Sequence, residues 1–341
     1  MPFLTPSDVG TRVVVRYRLR PAPRRTEGAP AVGTPLGGGP SATDVLGVLE
    51  GLESGVVRVR RGDGSVVEVA ESAVVAAKPV PPRPVPRREV RALEAAAALA
   101  WLADEEERLG GWLLRAAGGF TGRANSCLPL GDAPAAVGEA VAAVEDWYDA
   151  RGLPPRFQVV EPLDAGLTAH LDALGWARFN PVLVLTAELP ELDVAIAAAR
   201  PGRELPPVRV EPEPDADWLA AYHYRGGELP PGARAVLVRG DAVGFAAVRE
   251  PSGRTVAVAR GAVTSAPDGV GWLGVTAVEV VPDRRRLGLG THVLGGLTRW
   301  AAGHGATRVY LQVAEENAAA RATYGRLGLV DHHRYHYRRR P

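Results

Sequence analysis

The residues whose types and spacing could do chemistry are concentrated in Arg285-Arg286-Leu287-Gly288-Leu289-Gly290-Thr291. This stretch follows the valine-rich run Val275-Thr-Ala-Val278-Glu279-Val280-Val281-Pro282 and precedes an apolar run ending at Trp300. Pro282 has no N–H to give to a β-ladder and closes the strand. Gly288 and Gly290 carry no Cβ, so the chain can bend sharply and leave its amides open to a ligand. Val293, Leu294, Leu297, Trp300 and Ala301 recur at helical spacing. A strand, a basic glycine turn and a helix N-terminus make an anion site, because the amides and the helix dipole both favour negative charge. A dinucleotide fingerprint would need a third glycine where Val293 stands, and a phosphate-binding P-loop would need Gly-Lys-Ser/Thr.

What remains is Arg285-x-x-Gly288-x-Gly290. With the preceding Val280-Val-Pro282-Asp-Arg, it resembles the pyrophosphate loop of the GNAT N-acetyltransferases, Arg/Gln-x-x-Gly-x-Gly/Ala. A second stretch, Gln312-Val313-Ala-Glu-Glu-Asn317-Ala-Ala-Ala-Arg-Ala-Thr-Tyr324-Gly-Arg-Leu-Gly328-Leu, resembles that family's next strand, asparagine loop and tyrosine helix. Two motifs in order, separated by one helix and one strand, carry the resemblance.

The resemblance implies acetyl-CoA as donor and no metal. Backbone N–H groups from Arg286 through Leu287, Gly288, Leu289 and Gly290 to Thr291 would hold the diphosphate, and Arg285 would add charge. The strands on either side of the loop helix would splay apart. Val278 and Val280 would offer backbone to the pantetheine, and an amide of this strand would stabilise the thioester oxyanion. Tyr324 matches the usual general acid, since a phenol near pKa 10 stays protonated at neutral pH. Asn317 would contact the pantetheine or the strand edge. An amine acceptor must lose a proton before attack. Glu279 is one candidate base, although strand alternation turns it away from Val278 and Val280, and water is the other. His223, beside Tyr222 and Tyr224, lies where acceptor-binding residues often sit in that family.

Several further elements must position these groups. Residues 1–78 are valine- and glycine-rich, with strands expected at Val9–Leu19, Val45–Leu52, Val56–Arg60 and Ser65–Val69. An Asp-Gly hairpin signal stands at residues 63–64 and a long loop at Pro21–Ser41. Five short strands suggest a small SH3-like β-barrel. Arg12, Arg16, Arg18 and Arg20 would share one strand face, read as solvated rather than as a nucleic-acid contact. Residues 79–88 form a proline-rich, extended linker.

Residues 89–195 then give helix, strands, helix, strand, helix and strand. Val144-Glu-Asp-Trp147 to Val159 parallels Leu297-Thr-Arg-Trp300 to Val313, and Leu174-Gly-Trp parallels Leu327-Gly-Leu. The same series occurs twice, which argues for duplication. The first copy has Pro129-Leu-Gly131-Asp132-Ala-Pro134 where the loop should be, and an aspartate there repels a diphosphate. It is expected to be a degenerate GNAT-like domain that cannot bind coenzyme A and instead walls the acceptor site. Residues 205–341 are the acetyl-CoA-binding copy, with strands expected at Val236–Arg239 and Val243–Arg249. The fold class is thus α/β (α+β), tandem GNAT folds with mixed sheets flanked by helices, after the small β module. Such an arrangement resembles certain actinobacterial GNAT proteins.

Composition bounds the rest. The chain has 341 residues, 46% of them hydrophobic and 23% charged, with a net charge of +1. That balance gives no sign of a nucleic-acid or membrane partner. Cys127 is the single cysteine, which excludes an internal disulfide framework and is read as buried and inert. The terminal histidines His332, His333 and His336 stand without a carboxylate cluster and are not read as metal ligands. No apolar run reaches the roughly 20 residues of a membrane helix. No signal peptide is apparent, so the expected location is cytoplasmic. Three functions compete: an N-acetyltransferase acting on a small-molecule or protein amine, a tandem enzyme resembling mycothiol synthase, and a non-catalytic CoA-binding regulator. Neither acceptor nor oligomeric state is legible.

Overall fold

The structure, a computed structural model, describes residues 4–19, 42–61, 65–80, 84–163, 166–199, 202, 204–223, 227 and 229–341. The expected Pro21–Ser41 loop, the turn at 62–64, Arg20, Tyr224 and part of the proline linker lie outside these residues. The chain divides into two compact units, Met1–Pro84 and Val85–Pro341.

The first unit holds β1 (Arg12–Arg18), β2 (Ala42–Glu53), β3 (Val56–Arg60), β4 (Val66–Ala70) and β5 (Val74–Pro79). They form one antiparallel sheet in the order β4-β3-β2-β1-β5. Alternation sends Val13, Val15, Val45, Leu49, Val57, Val59 and Val69 into a common core. On the outer face Arg16 pairs with Asp44 at 2.8 Å, Arg58 with Glu53 at 3.1 Å and Arg60 with Glu50 at 2.6 Å. Acids on the same face thus offset these arginines.

The second unit begins with α1 (Arg87–Leu99), β6 (Glu105–Leu109), β7 (Trp112–Ala116), β8 (Leu128–Pro129), α2 (Val137–Asp149), β9 (Arg156–Val160), α3 (Leu167–Ala173), β10 (Ala177–Glu188) and α4 (Leu189–Ala198). It continues through β11 (Val208–Glu211), α5 (Ala216–Ala221), α6 (Ala233–Val238), β12 (Val243–Arg249), β13 (Thr255–Ser265), β14 (Gly271–Val280), α7 (Leu289–Ala302), β15 (Arg308–Ala314), α8 (Ala318–Arg326) and β16 (Val330–Arg339). Eight strands make a mixed sheet, β11-β12-β13-β14-β15-β10-β16-β9, and β6-β7-β8 a smaller one.

The centre of the large sheet is an exchange. β10 comes from the first half of this unit yet pairs with β15 of the second, from Val182 opposite Ala314 to Glu188 opposite Arg308. β16 closes the second half yet pairs with β9 of the first, from Tyr335 opposite Val160 to Arg339 opposite Arg156. The two exchanged strands pair with each other along the seam. Each half therefore completes the other's sheet.

One expectation from sequence is corrected, and two further elements take their form from the fold. Val236–Arg239 is not a strand: Ala233, Val236 and Leu237 are buried at helical spacing and form α6 after Gly232, whose φ is 81°. The exposed, charge-rich run at Glu105–Leu109 is a strand, held by β7 from Glu105 opposite Ala116 to Leu109 opposite Trp112. β16, flanked by β10 and β9, buries His336 and Arg338 as well as His333, Tyr335 and Tyr337. Arg338 is compensated there by the carbonyl of Trp176 at 2.9 Å and by Asp172 at 2.7 Å.

The large sheet has two covered faces. Leu183, Leu185, Leu273, Val275, Leu311 and Val313 pack with α4 and α7. Val182, Val184, Trp272, Tyr310, Tyr335 and Tyr337 pack with α1. Helix α7 lies close on the sheet edge because Gly296 has no side chain: a Cβ there would stand 2.3 Å from Val208 Cγ1. Gly296→Ala is expected to lower the urea unfolding midpoint, as overpacking of about 1–3 kcal/mol exceeds the roughly 1 kcal/mol gained in helix propensity.

Candidate functional site

The site grows from the only parallel pair of adjacent strands in the large sheet's described ladders. β14 and β15 pair at just four positions, from Trp272 opposite Arg308 to Val275 opposite Leu311. Beyond Val275 they part. β14 runs on to Val280 against β13, and β15 runs on to Ala314 against β10. The backbone of Thr276–Val280 thus lines one side of a wedge whose apex is the Val275–Leu311 pair.

A bulge sets which side chains face which way. Val258 pairs with Glu279 and Arg260 with Thr276, so Ala277 and Val278 together oppose Ala259. Ala277 takes φ 53°, uncommon for a residue with a side chain. Val278 and Val280 pack toward the α7 face, and Ala277 packs on the opposite one. Glu279, paired with buried Val258, shares the latter face.

The loop follows at the open end of the wedge. Pro282–Arg284 form a single 3-10 turn, Arg286 takes φ 62°, and Gly288 takes φ 79° as the N-cap of α7. The first helical bond runs from His292 N–H to Gly288 O at 2.9 Å. Leu289, Gly290 and Thr291 precede it, and their amides have no acceptor within the helix. Asp283, an acid in an anion loop, is neutralised: both Arg254 nitrogens hold its carboxylate at 2.8 Å, which pushes its pKa down. Arg284 binds Glu250 at 2.7 Å. These pairs tie the loop to the β12–β13 hairpin. Arg285 is exposed, donating to Val280 O at 3.1 Å and to Glu279 at 3.2 Å, so its charge is shared with Glu279.

Tyr324, on α8, is half-buried against the α7-face core. Desolvation pushes its hydroxyl up to about 12, and it makes no hydrogen bond among the described residues. Asn317 caps α8, its side chain accepting from Ala320 N–H at 3.0 Å.

At the apex on the α1 face, two polar side-chain atoms are buried without a partner among the described residues: Thr276 Oγ1 and Gln312 Nε2. They occupy the first rung past the last paired one. The other end of the Gln312 amide accepts from Arg123 Nη1 at 2.6 Å. Arg123 belongs to the loop between β7 and β8, which the Asn125 side chain stitches to Ala117, Gly119, Phe120 and Thr121. Sequence reasoning missed Thr276, Gln312 and Arg123 as a group. Arg123 and Gln312 are 189 residues apart in sequence, and the pairing pattern that brings them together is the exchange.

The first half repeats the wedge. Cys127 and Phe157 form a single parallel bridge, after which β8 and β9 separate. A cavity of about 180 Å³ lies between them, lined by Trp112, Pro129, Asp132, Val159 and Leu167. Asp132 has no cationic partner among the described residues, and Glu139 stands in the first turn of α2. Cys127 is buried, and burial pushes its thiol well above the ordinary range.

Other expected positions lie away from the wedge. His223 is exposed after α5, while Tyr222 packs on Trp218. His333 Nε2 lies 2.8 Å from buried Glu94, and His332 is pulled down to about 4 by burial and by His333. Among the described residues no group of three or more metal-ligating side chains converges, and no helix is long and apolar enough to cross a membrane.

Two family models match the chain. The one described as "Probable histone acetyltransferase Rv0428c C-terminal" matches residues 88–338, and "Rv0428c N-terminal Sm-like domain" matches residues 7–78. The chain is 34% identical to the probable histone acetyltransferase Rv0428c of Mycobacterium tuberculosis, over 96% of this chain and 94% of that one. It is 32% identical to the uncharacterised N-acetyltransferase YobR of Bacillus subtilis, over 73% of this chain and 98% of that one. Among solved structures, a GCN5-related N-acetyltransferase from Kribbella flavida shares the fold over 76% of this chain and 97% of its own, with TM-score 0.54 at 17% identity. A tandem GNAT protein from the clavulanic acid biosynthesis pathway does so over 75% and 89%, with TM-score 0.51 at 16% identity.

Proposed function

This chain belongs to the GNAT-type N-acetyltransferases that carry an N-terminal Sm-like domain, and from that premise we propose that residues 205–341 bind acetyl-CoA and pass its acetyl group directly to an amine. The wedge between β14 and β15 is the observation that carries this reading. The diphosphate sits on the amides of Leu289, Gly290 and Thr291, with those of Arg286, Leu287 and Gly288 leading into the turn. The pantetheine runs along Val278–Val280 toward the apex. Arg285 leaves Glu279 to meet the diphosphate, which frees that carboxylate.

The acceptor enters from the α1 face. Its neutral amine forms a C–N bond to the thioester carbonyl as the C–S bond breaks. Backbone N–H groups of the bulged strand steady the oxyanion, which is where charge develops. The ammonium proton leaves to Glu279 or to water on that face, and the departing thiolate accepts a hydrogen bond, then a proton, from Tyr324. Asn317 acts by fixing the start of α8.

Residues 89–195 are read as a degenerate copy. The repeated wedge and the seam between β10 and β16 support duplication, and Asp132 with Glu139 set negative charge where a diphosphate would lie. Its β7–β8 loop instead walls the acceptor side. The strand order of residues 1–78, with a short turn before β5 returns to β1, supports an SH3-like barrel. A protein amine, as the name of the Mycobacterium tuberculosis relative suggests for that protein, and a small-molecule amine are the two acceptor classes this reading admits.

Calorimetry with acetyl-CoA should show one site per chain, and thiol release should depend on added amine. Absence of binding by folded protein would overturn the reading, and binding without thiol release across a broad amine set would reduce it to a CoA-binding module.

A further inference from the structure

The acceptor face of the wedge is positively charged and uncompensated. Arg123 lies 4.6 Å above the ring of Trp101, and Arg260 lies 4.8 Å from the same ring. Arg260 is fully buried, and its donors go to three backbone carbonyls, those of Leu237, Ala100 and Arg239. Burial, with Arg123 close by, pulls its guanidinium down to about 9, which leaves it charged at neutral pH. Arg123 donates to an amide oxygen and has no carboxylate partner among the described residues. The acids of this face are engaged elsewhere: Glu94 binds Gln158 and His333, and Glu279 binds Arg285. Two guanidinium groups around one indole are a costly arrangement unless an anion completes it, because buried charges need partners. Gln312 Nε2, on the amide that Arg123 binds, and Thr276 Oγ1, one step past the Val275–Leu311 pair, add two further donors at the apex.

We propose that Arg123, Gln312 and Thr276 receive a carboxylate of the acceptor, so that the acceptor is an amine carrying a nearby carboxylate and not a polybasic chain. This rests on the reading that the acceptor meets the thioester at this apex. A guanidinium fork matches a carboxylate, and the amide and hydroxyl complete its lone pairs. The same positive field disfavours a second cation, as on a lysine-rich segment. It also lowers the pKa of the ammonium that must deprotonate, since like charge disfavours the charged form. The first half of the unit thus contributes a recognition residue to the second half's reaction.

The test compares, on the full chain with acetyl-CoA, free amino acids and dipeptides with their carboxamides and with a lysine-rich peptide. The acids should exceed their carboxamides in kcat/KM by about tenfold or more, the worth of a charge-assisted bond. Arg123→Met should collapse that ratio toward one. Gln312→Glu should do the same by supplying an internal carboxylate to Arg123, while acetyl-CoA affinity by calorimetry stays unchanged in both. Equal rates for acids and carboxamides, preference for the lysine-rich peptide, or a ratio that survives Arg123→Met overturns the proposal. If no compound is acetylated, binding of the N-acetyl acids and their carboxamides in the presence of CoA decides, and lack of any difference overturns it. Because acetyl-CoA binding is measured separately, loss of the donor-site reading is distinguished from loss of this one.

Discussion

Gly288→Val is expected to weaken acetyl-CoA binding about 10- to 100-fold, because forcing a β-branched residue into the left-handed region costs about 1–3 kcal/mol. The expectation follows from where the strain would be relieved. Gly288 holds φ 79° as the N-cap of α7, a conformation that a β-branched residue adopts only under strain. The loop would therefore turn to relieve the strain, and turning rotates the amides of Leu289, Gly290 and Thr291 away from the diphosphate. Gly288→Asn is the control, since asparagine tolerates this conformation. It should stay within a few-fold of the parent. Calorimetry reads the affinities, and unfolding midpoints show whether the loss is local. An unchanged affinity for Gly288→Val would mean that this bend does not hold the cofactor.

The loop was legible in the sequence because its chemistry is local. Arg285, Gly288 and Gly290 stand within six residues, and the strand and helix on either side announce themselves by periodicity. Asn317 and Tyr324 could be named as candidates for the same reason, since they lie in one local motif. The proposed acceptor face was not legible. Its members, Trp101, Arg123, Arg260, Thr276 and Gln312, come from five separate segments and meet only because β10 and β16 exchange places across the seam. Nothing in an alternation pattern says which neighbour a strand will choose when several have matching apolar faces. The bulge at Ala277 was equally silent, since alanine carries no left-handed signal. The helix α6 was misread because Val236 and Leu237 favour either structure, and the spacing to Ala233 decides only once burial is known. Asp283 would have argued against an anion site by the rule applied to Asp132. Its partner Arg254 lies 29 residues away, and only the fold shows the charge to be cancelled.

Tyr324→Phe should lower kcat about 100-fold, at the low end of the 10²–10⁴ range for a positioned acid, with acetyl-CoA affinity nearly unchanged. The low end follows from the energetics of the proton. Burial holds the Tyr324 hydroxyl up at about 12, whereas a thiol ordinarily titrates near 8.5. Complete transfer would be uphill if the thiolate kept its solution value. A thiolate bound in the same wedge would be desolvated too, which would raise its own pKa and narrow the gap. On the proposed reading the tyrosine would act first as a hydrogen-bond donor to the developing anion and complete the transfer as CoA forms. Its hydroxyl has no competing acceptor among the described residues, so phenylalanine removes little else. The same burial gives a second readout with a definite sign. A phenol whose folded pKa lies above its unfolded value of about 10 contributes stability that is complete below that pH. The contribution is lost as pH rises toward about 12. The unfolding midpoint of the parent should fall across that window more steeply than that of Tyr324→Phe. Identical slopes would show that Tyr324 is solvated, and an unchanged kcat would pass the proton to water and leave the wedge as a positioning device alone.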